Sequence, residues 1–169
     1  MSDRVAIMRF GSVVQIGTPA LLYHAPATRF VADFIGKMNF IDGEIVSYKK
    51  DEALIRLSSD VFVRATSFTG LAQVPREGDR VSLAMRPERT TLRTRGPKDL
   101  GAIPGVIESS VFIGSFHVFL VRLELPGSPL VEVQVVTGSE AEFQTGQHVD
   151  LLPDPHAASC FLEQERVAA

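Results

Sequence analysis

The residues of this chain best suited to chemistry lie between Ala84 and Arg95, in the stretch AMRPERTTLRTR. Arg86, Arg89, Arg93 and Arg95 can meet an anion or an acidic partner, because a guanidinium presents a planar fork of donors that matches carboxylate and phosphate oxygens. Glu88 sits among them, so the competing reading is a solvated strand end in which Arg86 pairs with Glu88 or a neighbour. The two readings weigh equally on sequence.

The other reactive residue types assemble into nothing. His24, His117, His148 and His156 have no metal-ligand spacing, and the single cysteine, Cys160, adds no ligand to them. His117 shares a strand face with Phe119 and Val121 and is expected to be a hydrogen-bonded core histidine; His148 is expected in an exposed turn. Cys160 has no positioned base nearby in sequence and reads as an inert, partly buried small residue. Gly36-Lys37 is followed by methionine, with no glycine five positions before, so it forms no phosphate-cradling loop. Phe112, Phe116 and Phe119 can stack on nucleic-acid bases. They lack basic neighbours, however, and the formal charge is −3, so core packing is expected instead.

The elements that must position these residues fall into three zones. In the first, VAIM (Val5 to Met8) and SVVQI (Ser12 to Ile16) read as two strands joined at Phe10-Gly11. Thr18 precedes Pro19 as an N-cap precedes proline at the first helical position, which predicts a short helix PALLYH that stops before Pro26. Thr28 caps a second helix, RFVADFIG, with Gly36 as its left-handed C-cap. Its Phe30, Val31, Phe34 and Ile35 form i,i+4 apolar pairs, a face expected to dock on a partner surface.

The remaining zones, 39–92 and 103–161, are dense in short strands, with KKDE, SSD and PGSP as turns and RTRGPKDLG (Arg93 to Gly101) as connector. They echo one another. Gly43-x-Ile45 matches Gly105-x-Ile107, and GDRVSLAMRP from Gly78 matches GQHVDLLPDP from Gly146. Two matches in the same order predict a duplicated β unit. The expected fold is therefore mainly β, a barrel built from two similar halves and preceded by a strand-and-helix tail.

Composition agrees with a soluble globular protein: 45% hydrophobic and 22% charged residues in 169. No window of eighteen apolar residues exists, so no membrane insertion is expected. No signal peptide is read at the N-terminus, and the lone cysteine fits a reducing compartment, hence a cytoplasmic location.

The stretch SDRVAIMRFGSVVQIGTPALLYHAPATRFVADFIGKMNFIDGEI closely resembles the end of the ATP-binding subunit of ABC-type importers. The likeness rests on Ser2-Asp3-Arg4, Gln15, Gly17-Thr18-Pro19, Tyr23, Pro26, Phe30-Val31-Ala32, Phe34-Ile35-Gly36 and Asn39-Phe40. MRPE (Met85 to Glu88) resembles that family's Arg-Pro-Glu motif, and GKMNF (Gly36 to Phe40) is nearer the polyamine, ferric-iron and opine importers than the sugar importers. The resemblance implies a tail of the nucleotide-binding domain over 1–38. It further implies a transport-associated oligonucleotide-binding-like (TOBE) domain over 39–165 that regulates and dimerises the subunit beside its permease partners, peripheral to the inner membrane.

It also implies that ATP and magnesium belong to a core upstream of Ser2, whose Walker, signature and switch motifs this sequence does not contain. The chain itself is then expected to have no catalytic residues, no cofactor and no metal. An excised C-terminal piece, a truncated gene product and a reading frame begun at an internal methionine all fit. Two other functions fit the β zones alone: a free-standing small-anion sensor using the Arg86 to Arg95 cluster (Arg86, Arg89, Arg93 and Arg95), and a nucleic-acid-binding barrel.

Overall fold

A computed structural model of the protein describes residues 2–68, 74–138 and 143–162. The chain opens with an antiparallel hairpin, β1 (Val5–Arg9) and β2 (Ser12–Gly17). Its two-residue turn, Phe10-Gly11, takes positive φ at both positions (48° and 78°), the turn whose twist matches the flanking strands. Helix α1 (Pro19–His24) starts where the Thr18 hydroxyl accepts from the Leu21 amide, and α2 (Arg29–Ile35) where Thr28 accepts from Val31. Gln15 ties the hairpin to the helix link, donating to the Ala25 carbonyl at 3.0 Å and accepting from the Ala27 amide at 2.7 Å.

The expected left-handed cap at Gly36 is not present: φ is 175°, ordinary extended backbone. A missing Cβ matters there for another reason. A Cβ on Gly36 would stand 2.9 Å from Nη1 of Arg86, so the glycine makes room for a guanidinium.

Two open sheets follow. The first unit contributes β3 (Asn39–Lys49), β4 (Glu52–Arg56), β5 (Phe62–Ala65), β6 (Ser67–Phe68) and β7 (Arg80–Met85). After a single 3-10 turn at Pro87–Arg89 the chain forms β8 (Thr90–Thr94), then β9 (Ile103–Ile113), β10 (Phe116–Leu123), β11 (Leu130–Val136), β12 (His148–Pro153) and β13 (Ser159–Leu162). The sheet orders are β5-β4-β3-β7-β13-β6 and β11-β10-β9-β12-β8. Each unit thus sends its last strand into the other's sheet: β8 pairs with β12, and β13 with β7.

The duplicated glycines occupy matching surroundings. A Cβ on Gly43 would lie 2.7 Å from Ile55 Cγ2 and 3.0 Å from the Arg56 carbonyl; on Gly105 it would lie 2.7 Å from Val121 Cγ1 and 3.0 Å from the Arg122 carbonyl. Gly78 donates to the Ile45 carbonyl and Gly146 to the Ile107 carbonyl, each at 2.8 Å. The paired inward residues Val81 and Leu83, and Val149 and Leu151, are all fully buried. One apolar core spans both sheets.

The stretch expected as a connector, Arg93 to Gly101, begins inside β8, because Arg93 and Thr94 pair with Asp150 and Val149. Core packing holds for Phe119, whereas Phe116 is half-buried and Phe112 is 60% exposed, since the β9–β10 hairpin extends past the core. His117 is half-buried in a ring stack, with centroids 5.0 Å from Phe112 and 5.9 Å from Phe119. His148 begins β12 rather than sitting in a turn, yet its side chain is exposed. Residues 163–165, expected to close the β domain, lie outside the described residues.

Candidate functional site

The structure gathers its least expected polar chemistry where the helices meet the sheets. Arg86 follows β7 and is only 4% exposed. Its Nη2 donates to the Tyr23 carbonyl at 2.9 Å and Nη1 to the Lys37 carbonyl at 3.5 Å, and its Cζ lies 3.8 Å from the centre of the Tyr23 ring. Tyr23 is in the last turn of α1 and Lys37 follows α2. One guanidinium therefore meets a carbonyl in the last turn of α1, where no intrahelical donor remains, and reaches the backbone just past the end of α2.

Pro87 turns the chain sharply, which brings Glu88 to accept from the Tyr23 hydroxyl. Burial first, and then this hydrogen bond, hold the Tyr23 hydroxyl above its ordinary pKa.

A second contact ties the start of β3 to the edge of the other sheet. Asn39 is buried, donates from Nδ2 to the Glu132 carbonyl at 2.7 Å, and accepts at Oδ1 from the Glu132 amide at 2.9 Å. A side-chain amide here stands in for a missing strand partner, covering part of an otherwise open β11 edge. The Glu132 carboxylate, 9% exposed as a residue, pairs with Lys37. Alternation along β11 predicts Glu132 facing solvent; the chain leaving α2 covers it, which no period-two pattern can reveal.

The expected docking face on α2 is divided among several surfaces. Val31 is fully buried with Ile7 and Leu22, and Phe30 and Ile35 pack partly against that cluster. Phe34 remains 65% exposed. Ala32, on another side of the helix, makes the contact with the sheet, packing with Ala84 and Phe161. Sequence reasoning missed Ala32 because a small residue contributes little to an apolar stripe.

The four arginines do not gather into one site, although Arg93 and Arg95 flank the same carboxylate, Asp150, at 3.1 and 3.8 Å. Arg86 faces helix carbonyls and Arg89 pairs with Asp154 at 2.7 Å. Arg93 meets Asp150 at 3.1 Å and Asp99 at 3.0 Å, and those hydrogen bonds raise its pKa. Arg95 pairs with Glu124 at 2.9 Å and donates to the Gly105 carbonyl at 3.1 Å. The equivalent surface of the first unit is an open groove of about 520 Å3 beside Gly43, lined by Asp42, Glu44, Arg56 and Arg80 among others, and it contains none of the expected site residues. Among the described residues, no group of three or more His, Cys, Asp or Glu is placed to hold a metal, and no helix is long and apolar enough to cross a membrane.

Comparison with known proteins agrees with this geometry. Residues 83–161 match the model of the TOBE domain. The chain is 37% identical over 163 residues to the spermidine/putrescine import ATP-binding protein PotA 1 of Pseudomonas aeruginosa, covering 96% of this chain and 42% of that protein. It is 34% identical over 151 residues to the PotA protein of Ruegeria pomeroyi, covering 89% and 39%. With the Fe(3+) ions import ATP-binding protein FbpC of Agrobacterium fabrum it shares 33% over 126 residues, covering 74% and 33%.

The chain thus spans about two fifths of the length of the first two relatives. Among solved structures, the cytoplasmic molybdate-binding protein ModG with molybdate bound has the same fold, at TM-score 0.57 and 14% identity over 72% of this chain and 94% of that one. The Arg-Pro-Glu turn that clasps the two helices lies within the matched stretch of these importer proteins, and the chain carries a TOBE-type region similar to that of ABC importer ATP-binding subunits.

Proposed function

We propose that this region regulates and dimerises the ATP-binding subunit of a polyamine-type importer, on the cytoplasmic face of the membrane and beside permease subunits. ATP and magnesium chemistry falls to the part of the relatives that this chain does not span. The chain's own residues serve as a non-catalytic coupling element. Arg86 and Glu88 are its partner contacts with the helical segment, while Arg89 and Arg93 brace the second sheet.

The observation that carries this reading is the buried Arg86, which joins the ends of both helices to the turn between the sheets. A displacement of the helical segment is transmitted to the β units because a packed, hydrogen-bonded junction moves as a body. A standing dimer contact also makes a nucleotide-driven contact between subunits effectively intramolecular. The small-anion-sensor alternative has the fold likeness to ModG behind it. Its arginines, however, are already held by oxygens of this chain.

The test is a chimera in which this chain replaces the matching region of the Pseudomonas relative. Spermidine uptake by cells carrying the chimera is expected to persist. Arg86→Ala in the same chimera is expected to lower uptake more than ATP hydrolysis, the signature of lost coupling. A well-folded, assembled chimera without uptake refutes the assignment.

A further inference from the structure

The groove beside Gly43 collects charges that the fold leaves uncommitted. Ile41 and Ile45 are buried in the core, so the alternation of β3 puts Asp42 and Glu44 on its outer face. Strand register sets Arg56 on one side of Glu44 and Arg80 on the other, with Ser82 opposite Asp42. Glu44 pairs with Arg56 at 3.0 Å. Asp42 accepts from the Ser82 hydroxyl at 3.3 Å but has no cationic partner among the described residues. Among those residues the Arg80 guanidinium has no partner either.

The duplicated unit closes the corresponding surface with its own chain. Glu124 follows Leu123 there as Ser58 follows Leu57, and His148 stands two residues after Gly146 as Arg80 stands two after Gly78. Arg95 pairs with this Glu124 at 2.9 Å, lies 3.2 Å from His148 Nδ1 and donates to the Gly105 carbonyl at 3.1 Å. The fold thus forms with the surface filled by an internal ion-pair network. The first unit keeps a groove of about 520 Å3 in its place, within the size range of small-molecule sites.

We infer that this groove binds a small zwitterion of the α-amino-acid class, its carboxylate on Arg80 and its ammonium on Asp42. The Glu44–Arg56 pair is neutral as a unit, which leaves one positive and one negative group to be matched. A simple anion or cation would satisfy one of them and be repelled by the other; a zwitterion satisfies both. Asp42 and Arg80 are diagonal neighbours on adjacent strands, roughly 7 Å apart at Cβ, so their side chains can hold the two ends of one small molecule between them. The guanidinium fork suits a carboxylate, and the Ser58 and Ser59 hydroxyls at the rim add donors beside it. Water reaches both charges, so the binding is weak. The inference goes beyond the importer reading and does not depend on it.

Amide resonances of the full 169-residue chain, followed by NMR while L-alanine is added to about 50 mM, test it. Saturable shifts are expected at 42–44, 56–59 and 78–82, with half-saturation at about 1 mM. Propionate lacks the ammonium and ethylamine lacks the carboxylate; each is expected to bind about tenfold more weakly than alanine, or worse. Arg80→Gln should bring alanine down to the level of ethylamine, and Asp42→Asn to that of propionate. Both positions are exposed, and asparagine keeps an oxygen that can accept from Ser82, so the remaining resonances should not move.

Alanine shifts that do not saturate would overturn the inference. So would binding of either half-molecule, or of spermidine, as tight as that of alanine, because the site would then recognise a single charge. Alanine binding left intact by both substitutions overturns it as well. Uptake by the chimera is a separate measurement, so the failure of either reading leaves the other standing.

Discussion

At the scale of single residues, Arg86 is the group with most to lose on substitution. It has left water almost completely, and its donors reach the Tyr23 and Lys37 carbonyls. Truncation to alanine leaves those carbonyls without their donor and opens a space beside Tyr23 and Gly36. The expected loss is about 2–4 kcal/mol of unfolding free energy, measurable by urea denaturation. Arg86→Lys should rescue little, because an ammonium on a single stem cannot span two carbonyls and cover a ring at once. Amide exchange over 19–35 should accelerate in both variants. Exchange there that stays as slow as in the parent chain would show that the hydrophobic contacts of Val31, Leu22 and Ala32 hold the helices without the clamp.

At the scale of elements, the glycine repeats mark where the two sheets demand the same geometry. Gly43 and Gly105 lie in β3 and β9, and at each a Cβ would enter a neighbouring side chain and press on a backbone carbonyl. Backbone cannot swing aside as a long side chain can. Gly43→Ala and Gly105→Ala are therefore each expected to destabilise by about 1–3 kcal/mol, by similar amounts, in thermal or denaturant unfolding. Clearly unequal losses would mean that the units are not mechanically equivalent at this point.

These glycines also show how far the sequence could be read. Turn residues, N-caps and the period-two burial of Ile55 and Leu57 on either side of exposed Arg56 are local, so they were legible. The repeat was legible because both copies keep a glycine where two strands approach closely. The strand exchange was not: which sheet β8 and β13 join depends on contacts across more than fifty residues, and TTLRT carries no pattern that names its partner. The site fared likewise. Arg86 was legible as a charge in a motif, but its role required knowing that two helix ends arrive beside it. Asn39 carried no signal apart from its place in the family-like segment.

At the scale of the whole molecule, the exchanged strands bear on how it opens. Each sheet is completed by a strand from the other unit, and one core lies between them, so neither unit can unfold while leaving the other intact. Cys160 is placed to test this. It lies in β13, near the C-terminal end of the described chain, but is wholly buried between β7 and β6. Desolvation pushes its thiol up to about 12. In the folded state at pH 8 only about one thiol in ten thousand is ionised, and that one is out of reach, so a disulfide reagent can act only after the site opens. If β13 is released only with the core, the labelling rate should rise with urea as steeply as global unfolding does. If the strand frays from the chain end, labelling should proceed at a rate nearly independent of urea. Strand exchange argues for the first outcome: freeing β13 breaks its ladder with β7 and uncovers Cys160, Phe161 and the facing Leu83 together, and the second sheet keeps its own edge strand only while Arg86 and the turn after it hold β8 in register.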